Sequence, residues 1–129
     1  LLCLLLVSLG GCVKSLPIQS PAVPPNVAIF HKPVEEVWKM VISTIALKHL
    51  LPLEVNDPKQ GTFATKIIVE ENTLQPNRYR LTGTVLPSPE GIAVTLYNQQ
   101  EVYEDGRWRA IQSSYVLEKS LLDEIQGTR

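Results

Sequence analysis

The sequence predicts a small α+β domain in which an antiparallel sheet of about five strands carries a long N-terminal helix and a short C-terminal helix on one face. Three patterns support this fold class. Apolar residues recur at helical spacing in residues 33–51, polar and apolar side chains alternate in residues 78–85, and Asp105-Gly106 is a two-residue hairpin signal. A helix, a series of strands and a second helix together give a helical layer on one face of the sheet.

The chain begins with an apolar run, residues 1–9, that contains no charged residue and is followed by Gly10-Gly11. The run is about half as long as a membrane-spanning helix needs to be. A short apolar stretch followed by small residues is typical of a secretory signal peptide. Because no Met and no basic residue precede the run, we expect the chain to begin inside the signal peptide. Residues 1–11 are predicted to be removed on processing.

The motif Leu9-Gly10-Gly11-Cys12 resembles the lipobox of bacterial lipoproteins, an aliphatic residue and two small residues before a cysteine. In that family the thiol is diacylglycerated, the signal is cut just before the cysteine, and the new amine is acylated, commonly with palmitate. The resemblance implies that Cys12 is the lipidation site and the membrane anchor. Burial of the acyl chains in the bilayer contributes roughly 0.8 kcal/mol of binding free energy per methylene. Val13 follows the cysteine, whereas an Asp there retains enteric lipoproteins in the inner membrane. The resemblance therefore implies an outer-membrane lipoprotein that faces the periplasm.

The segment after the cysteine is predicted to be a tether. Residues 12–26 contain four prolines, which favour an extended chain of roughly 3 Å per residue. The alternative, that residues 21–25 dock a partner, stays open. Residues 27–129 are predicted to form a single domain, and this domain contains no cysteine and hence no disulfide or thiolate nucleophile. The net charge of −1 gives no indication of nucleic-acid binding.

The domain is predicted to begin with a strand at residues 27–31 and the long helix at residues 33–51. Pro33 suits the first helical position, Glu35 and Glu36 lie where the helix dipole favours negative charge, and Pro52 ends the helix. The predicted buried stripe consists of Val34, Val37, Trp38, Val41, Ile42, Ile45, Ala46 and Leu50.

The other strands are predicted at residues 63–71, 78–85, 92–103 and 107–111, with turns at residues 57–61 and at Asp105-Gly106. The C-terminal helix is predicted within residues 114–127, with Gly127 as its C-cap. Its buried side chains are predicted to be Val116 or Leu117, together with Leu121, Leu122 and Ile125.

Several of these positions resemble the helix-grip domains of bacterial envelope lipoproteins, of which the C-terminal domains of BamC are the best-known case. The resemblance lies in residues 33–38 at the start of the helix, in the turn at 57–61 before a strand, and in residues 108–122. It implies a helix-grip-like fold. Because these positions are mostly core positions and turns, it implies the fold more than the function.

No group of residues in the sequence indicates catalysis. His31 and His49 are separated by the predicted helix, or by roughly 27 Å along its axis, and cannot share a site. Neighbouring Glu35 and Glu36 point about 100° apart on a helix. Ser113-Ser114 precedes a helix containing Glu118, a pattern typical of helix capping. We therefore expect a protein that is not an enzyme and that needs no metal or cofactor.

The candidate partner-binding residues are Tyr103, Arg107, Trp108 and Arg109, which surround the predicted hairpin turn. Aromatic residues and arginine are enriched at binding hot spots. The alternative is a solvated sheet face with Trp108 turned into the core. Arg78 and Arg80 share one strand face, but the sequence leaves open whether all four arginines lie together.

Two functions remain open after these patterns. One is a non-enzymatic assembly or scaffold component that binds other envelope proteins. The other is a binding module that holds a lipid or another apolar ligand between the helix and the sheet. An internal cavity above about 300 Å³ would favour the second, whereas a filled core with an exposed apolar patch would favour the first.

Overall fold

The computed structural model describes residues 23–71 and 74–127. The predicted signal peptide, Cys12 and most of the predicted tether lie outside the described residues. The α-helices are α1 (Val34–Ile42) and α2 (Val116–Gln126), and a π-helical segment, Ser43–Lys48, continues α1. The strands are β1 (Val27–Phe30), β2 (Leu53–Asp57), β3 (Thr62–Thr65), β4 (Ile68–Glu70), β5 (Asn77–Ser88), β6 (Gly91–Glu104) and β7 (Arg107–Ile111).

The fold is α+β, as predicted, with one antiparallel sheet. Its centre is the long hairpin of β5 and β6, which pair from Asn77↔Val102 to Ser88↔Gly91. β1 and β7 both pair with β6, β3 and β4 both pair with β5, and β2 pairs with β3. The sheet therefore has seven strands in the described part of the chain, and the prediction of about five was wrong.

One additional strand comes from a break in the predicted strand 63–71, which the structure divides into β3 and β4. At the break, Thr65 Oγ1 accepts a hydrogen bond from the Leu81 N–H at 3.0 Å, and Arg80 Nε donates to the Thr65 carbonyl at 3.1 Å. These side-chain bonds take the place of the ladder to β5 in the interval between the end of β3 and the start of β4. The other additional strand is β2, which forms because the turn at residues 57–61 folds it back onto β3.

The prediction of one long N-terminal α-helix was also wrong. The α-helix ends at Ile42, and the backbone then widens into π-helical turns, in which the His49 N–H donates to the Thr44 carbonyl at 3.0 Å. The wider turn changes the angular spacing of the side chains. Leu50, predicted on the buried stripe, adopts φ +56° and is 77% exposed. The apolar face is therefore shorter than a regular helix would give.

Both helices pack on the same face of the sheet. The Trp38 ring of α1 contacts the Phe63 ring edge-on at a centroid distance of 6.4 Å. α2 contributes Leu117 to the core, whereas Val116 is exposed. The fully packed core consists of Ala28, Phe30, Val37, Val41, Ile45, Phe63, Leu81, Val85, Val94, Leu96, Leu121, Leu122 and Ile125. We call the face of the sheet that carries both helices and this core the inner face, and the opposite face the outer face.

Buried polar groups close a gap in the sheet between β1 and β7, the two strands that lie end to end along β6. The Leu96 N–H donates to the Asn26 carbonyl, and Asn26 Nδ2 donates to the Leu96 carbonyl, both at 3.0 Å. The next backbone donor of β6 on this edge, the buried Asn98 N–H, is bonded to Glu118 Oε2 at 2.8 Å. Ser113 Oγ donates to the same oxygen at 2.7 Å, so Ser113 helps to fix the start of α2. Glu118 is fully buried and takes the place of a missing strand residue.

An ion-pair cluster joins the π-helical segment to α2. Glu124 lies 2.6 Å from Lys48 Nζ and 2.8 Å from His49 Nε2. The hydrogen bond from Lys48, followed by that from His49, holds the pKa of Glu124 below its ordinary value. A lowered carboxyl pKa stabilises the folded state at neutral pH and ceases to do so as the pH falls through it.

We therefore expect Glu124→Gln to lower the thermal midpoint at neutral pH. The difference from wild type should begin to shrink below about pH 4.3, the ordinary pKa of a glutamate. It should be lost as the pH falls through the lowered pKa of the folded state, because Glu124 is then protonated in the folded and the unfolded state alike. Melting curves over a pH series measure this, with Asp123→Asn on the exposed side of α2 as the control. A difference that persists in strong acid would contradict the role of this charge.

Candidate functional site

The predicted hairpin at Asp105-Gly106 is confirmed. Asp105 and Gly106 adopt φ +53° and +78°, the left-handed conformation that a tight two-residue turn requires. The register pairs Tyr103 with Trp108, Val102 with Arg109 and Glu104 with Arg107. Because side chains alternate between the faces of a sheet, Tyr103 and Trp108 lie on the outer face and the two arginines on the inner face. The four candidate residues therefore do not form one surface.

On the outer face, three side chains form a compact group that we call the aromatic cluster: Arg78, Tyr103 and Trp108. The Tyr103 and Trp108 rings meet edge-on at 5.3 Å between centroids. Arg78 Cζ lies 4.3 Å from the centroid of the Trp108 ring, within the range of a cation–π contact. Neither helix of the described part of the chain covers this face, and Tyr103 is 41% exposed. The cluster is a preorganised aromatic surface outside the core.

The two arginines of β5 are engaged in ion pairs within the domain. Arg78 Nε donates to Glu101 at 2.6 Å, and Arg80 Nη2 donates to Glu54 at 2.7 Å. Both arginine side chains are less than one third exposed. The pairs neutralise the cations and hold their planes in place, so this part of the surface is ordered without being strongly charged.

Exposed apolar residues surround the aromatic cluster. Ile67 and Val69 are 54% and 47% exposed, and Val69 is paired with Arg78 across β4 and β5. A shallow cavity of about 230 Å³ lies between Ile67, the ion pair of Arg78 with Glu101, and the small side chain of Ala110 at the edge of the sheet. The cavity offers room for one side chain of a bound molecule.

The centre of the outer face is uncharged. Thr62, Thr84 and Thr95 form one row across β3, β5 and β6, and Thr82 and Tyr97 pair in the next row. These side chains line a second shallow cavity of about 270 Å³. The exposed face of an antiparallel sheet is usually polar, and threonine is polar without a charge. Another molecule can therefore cover this part of the outer face without burying a charge.

On the inner face near the turn, Arg109 donates a hydrogen bond to Glu104, and Gln75 donates to the other oxygen of the same carboxylate at 3.0 Å. The bond from Arg109 lowers the pKa of Glu104. Arg107, directly opposite Glu104 in the register, is exposed. Glu104 and Asp105 balance the charges of Arg107 and Arg109 at this end of the hairpin, and Arg107 forms no ion pair with the described residues.

A cleft also opens between β1 and α2, with a volume of about 520 Å³. It is lined mainly by apolar groups, including Pro24, Ile29 and Leu122, and by the charged pair of Lys119 and Asp123 at its rim. The cleft is open to the surface. Its mainly apolar lining suits contact with a small apolar ligand.

The sequence patterns missed Ile67, Val69 and Ala110 as members of the outer-face site, and they left the face of the arginines open. A usable signal was present. A two-residue turn at Asp105-Gly106 fixes Tyr103 opposite Trp108, and strict alternation then places Arg107 and Arg109 on the other face. Ile67 carried no such signal, because it lies between two short strands. Within residues 23–71 and 74–127, no three metal-ligating side chains converge.

The sequence matches no protein-family model, and it matches none of the curated proteins at a significant level. Among the described residues, neither helix has the length and apolarity that a membrane crossing demands. The geometry of the surface therefore carries the functional argument.

Proposed function

We propose that this protein is a non-enzymatic outer-membrane lipoprotein, anchored through Cys12 and facing the periplasm, that acts as an assembly or scaffold component. It binds other envelope proteins through the outer face of its sheet, and its domain belongs to the helix-grip-like lipoprotein domains. The observation that carries the proposal is the aromatic cluster, a partly exposed Trp-Tyr-Arg group on a sheet face that no helix of the described residues covers.

The composition of this surface supports contact with a protein. Trp, Tyr and Arg are the residue types most enriched at binding hot spots. The rings of Tyr103 and Trp108 and the guanidinium of Arg78 are already held in place, so binding orders few additional side chains. The adjacent apolar residues and the uncharged threonine rows extend the surface across the sheet.

We expect the double variant Tyr103→Ser with Trp108→Ser to reduce the recovery of crosslinked partner proteins from membranes by at least about tenfold. Loss of a hot-spot residue costs about 2 kcal/mol or more in binding, which exceeds a tenfold change in affinity. Because both rings lie outside the core, the thermal midpoint should change by only a few degrees. Quantitative mass spectrometry of the crosslinked complexes measures the recovery.

A matched control is Leu47→Ser with Leu50→Ser, which removes two exposed apolar side chains from the end of the π-helical segment. Partner recovery should stay at the wild-type level for this control. Equal recovery by wild type and the outer-face variant would contradict the proposed binding surface.

The membrane anchor has a separate test. Metabolic labelling with a radioactive fatty acid should label the wild-type protein and leave Cys12→Ser unlabelled and unprocessed, because the thiol is the acyl acceptor. Cys3→Ser, within the predicted signal peptide, is the control and should be labelled normally. A Cys12→Ser protein that is labelled like wild type would contradict lipidation at this residue.

The second candidate function is the binding of a lipid or another apolar molecule. The open cleft between β1 and α2 supports it, since its volume of about 520 Å³ is within the range of small-molecule sites. The space between the helices and the sheet, where the sequence patterns would place the ligand, is filled by core side chains. The protein-binding function is therefore the better supported one.

A further inference from the structure

β7 has one paired edge and one free edge. It pairs with β6, and no other strand of the described structure pairs with it. Across a two-residue turn, the flanking residues Glu104 and Arg107 form a hydrogen-bonded pair, and such pairs then alternate with non-bonded pairs along an antiparallel ladder. Trp108 and Ala110 fall in the non-bonded pairs, so their N–H and C=O groups point to the free edge.

A hydrogen bond on the opposite side of β6 supports this assignment. The Tyr103 N–H donates to the Pro76 carbonyl at 2.9 Å, on the β5 side, and hence not to its β7 partner Trp108. The free edge of β7 therefore offers two donors and two acceptors in the spacing of a strand.

The side chains along this edge differ between the two faces. On the outer face, the small Ala110 beside Trp108 leaves the edge of the 230 Å³ cavity open. On the inner face lie Arg107 and Arg109, of which Arg109 is bonded to Glu104 across the ladder. A strand added at this edge would therefore place alternate side chains over the notch at Ala110, next to Trp108, and beside the two arginines of β7.

A second copy of the chain does not suit this edge. Antiparallel pairing of Trp108 with Trp108 or with Ala110 of the second copy would set arginine directly opposite arginine, and like charges opposite each other destabilise a sheet. Pairing Ala110 with Ala110 would set Trp108 opposite Gln112, beyond the end of β7. The segment 13–26 does not suit it either, because it contains four prolines and no acidic residue.

We propose that the free edge of β7 binds an extended segment of another envelope protein by strand addition, and that this segment alternates acidic with apolar side chains. Its backbone pairs with Trp108 and Ala110, its apolar side chains cover the notch at Ala110, and its carboxylates meet Arg107 and Arg109. This proposal rests on the proposed function and names the class of partner that the surface takes.

The test uses the full chain, labelled with nitrogen-15 and purified in detergent, and two ten-residue probe peptides. One peptide alternates Glu with Val and the other alternates Lys with Val. We expect the Glu peptide to slow amide hydrogen exchange at Trp108 and Ala110 by at least about tenfold. Arg109 and Ile111, whose amides already bond to β6, should change less. The Lys peptide should leave all four amides unchanged.

Two variants make the test specific. Ala110→Pro removes the outward N–H without removing a bond to β6, and it should weaken binding of the Glu peptide at least about tenfold, whereas Ala110→Ser should bind like wild type. Arg107→Glu with Arg109→Glu should reverse the preference, so that the Lys peptide slows exchange more than the Glu peptide does. Absence of slowed exchange at Trp108 and Ala110, or equal effects of both peptides, overturns the proposal.

The outcomes separate this inference from the proposed function. If Tyr103→Ser with Trp108→Ser abolishes partner recovery but the Glu peptide does not slow exchange at the β7 edge, strand addition is overturned and the outer-face function stands. If the peptide protects the edge while that variant recovers partners normally, strand addition is supported and the outer-face function is overturned.

Discussion

Glu118→Ala is expected to lower the free energy of unfolding by about 3 kcal/mol or more. The substitution leaves the Asn98 N–H buried without an acceptor, which alone costs about 1–3 kcal/mol. It also removes the acceptor of the Ser113 hydroxyl and leaves a void between α2 and the gap in the sheet. Urea unfolding followed by circular dichroism measures the loss.

Two controls isolate the acceptor. Glu118→Gln keeps an oxygen for the Asn98 N–H. The other oxygen, Oε1, accepts no hydrogen bond from the described residues, so replacing it by an amide nitrogen breaks no hydrogen bond. We expect this variant to lose about 1 kcal/mol or less. Lys119→Ala, on the exposed side of the same helix, should stay within about 0.5 kcal/mol of wild type. A stability for Glu118→Ala equal to that of Lys119→Ala would contradict the role of Glu118.

Gly83→Ala is expected to destabilise the domain by about 2 kcal/mol through overpacking. A Cβ on Gly83 would lie 2.6 Å from Cζ of Phe63, closer still to its Cε1, and 3.0 Å from Cδ2 of Leu96. The Phe63 ring lies across β5 at this point and is held by Trp38, so it cannot move away without disturbing the core. Denaturant unfolding measures the loss of stability.

A double-mutant cycle tests this cause. In a Phe63→Leu background, Gly83→Ala should cost clearly less than in wild type, because the ring that it would meet is gone. Gly127→Ala is the matched glycine control. Its φ is −79° and the atoms nearest to a new Cβ lie 3.5–3.6 Å away, so its stability should be unchanged or slightly raised. Equal costs of Gly83→Ala in both backgrounds would exclude the Phe63 contact as the cause.

Much of the fold was predictable because its signals are local. α1 begins at Val34, one residue after the start at Pro33 that the sequence predicted. The hairpin lies at Asp105-Gly106 as predicted, since φ above zero at both turn positions suits Asp and Gly. The alternation in residues 78–85 correctly placed Leu81 and Val85 in the core. Arg78 and Arg80 share the outer face for the same reason.

The candidate site was predictable only in part. Tyr103 and Trp108 were recognised, but the alternative that turned Trp108 into the core does not hold, because its neighbour across the ladder is Tyr103 on the uncovered face. The cation–π contact with Arg78 brings together residues from β5 and β7. No pattern within either strand contains that contact, since it depends on how β6 aligns the two.

The sequence by itself determined, to within two residues, where the helices begin, where the hairpin at Asp105-Gly106 turns, and which of residues 78–85 face the core. It also contains the motif from which lipidation at Cys12 is predicted. The tertiary structure decided the break between β3 and β4, the π-helical end of α1 and the burial of Glu118. The break and the burial of Glu118 each depend on a partner far along the chain: Thr65 bonds to Leu81, and Glu118 bonds to Asn98. Backbone groups left unpaired in one element are expensive to bury, so distant side chains satisfy them, and short-range periodicity carries no record of that choice.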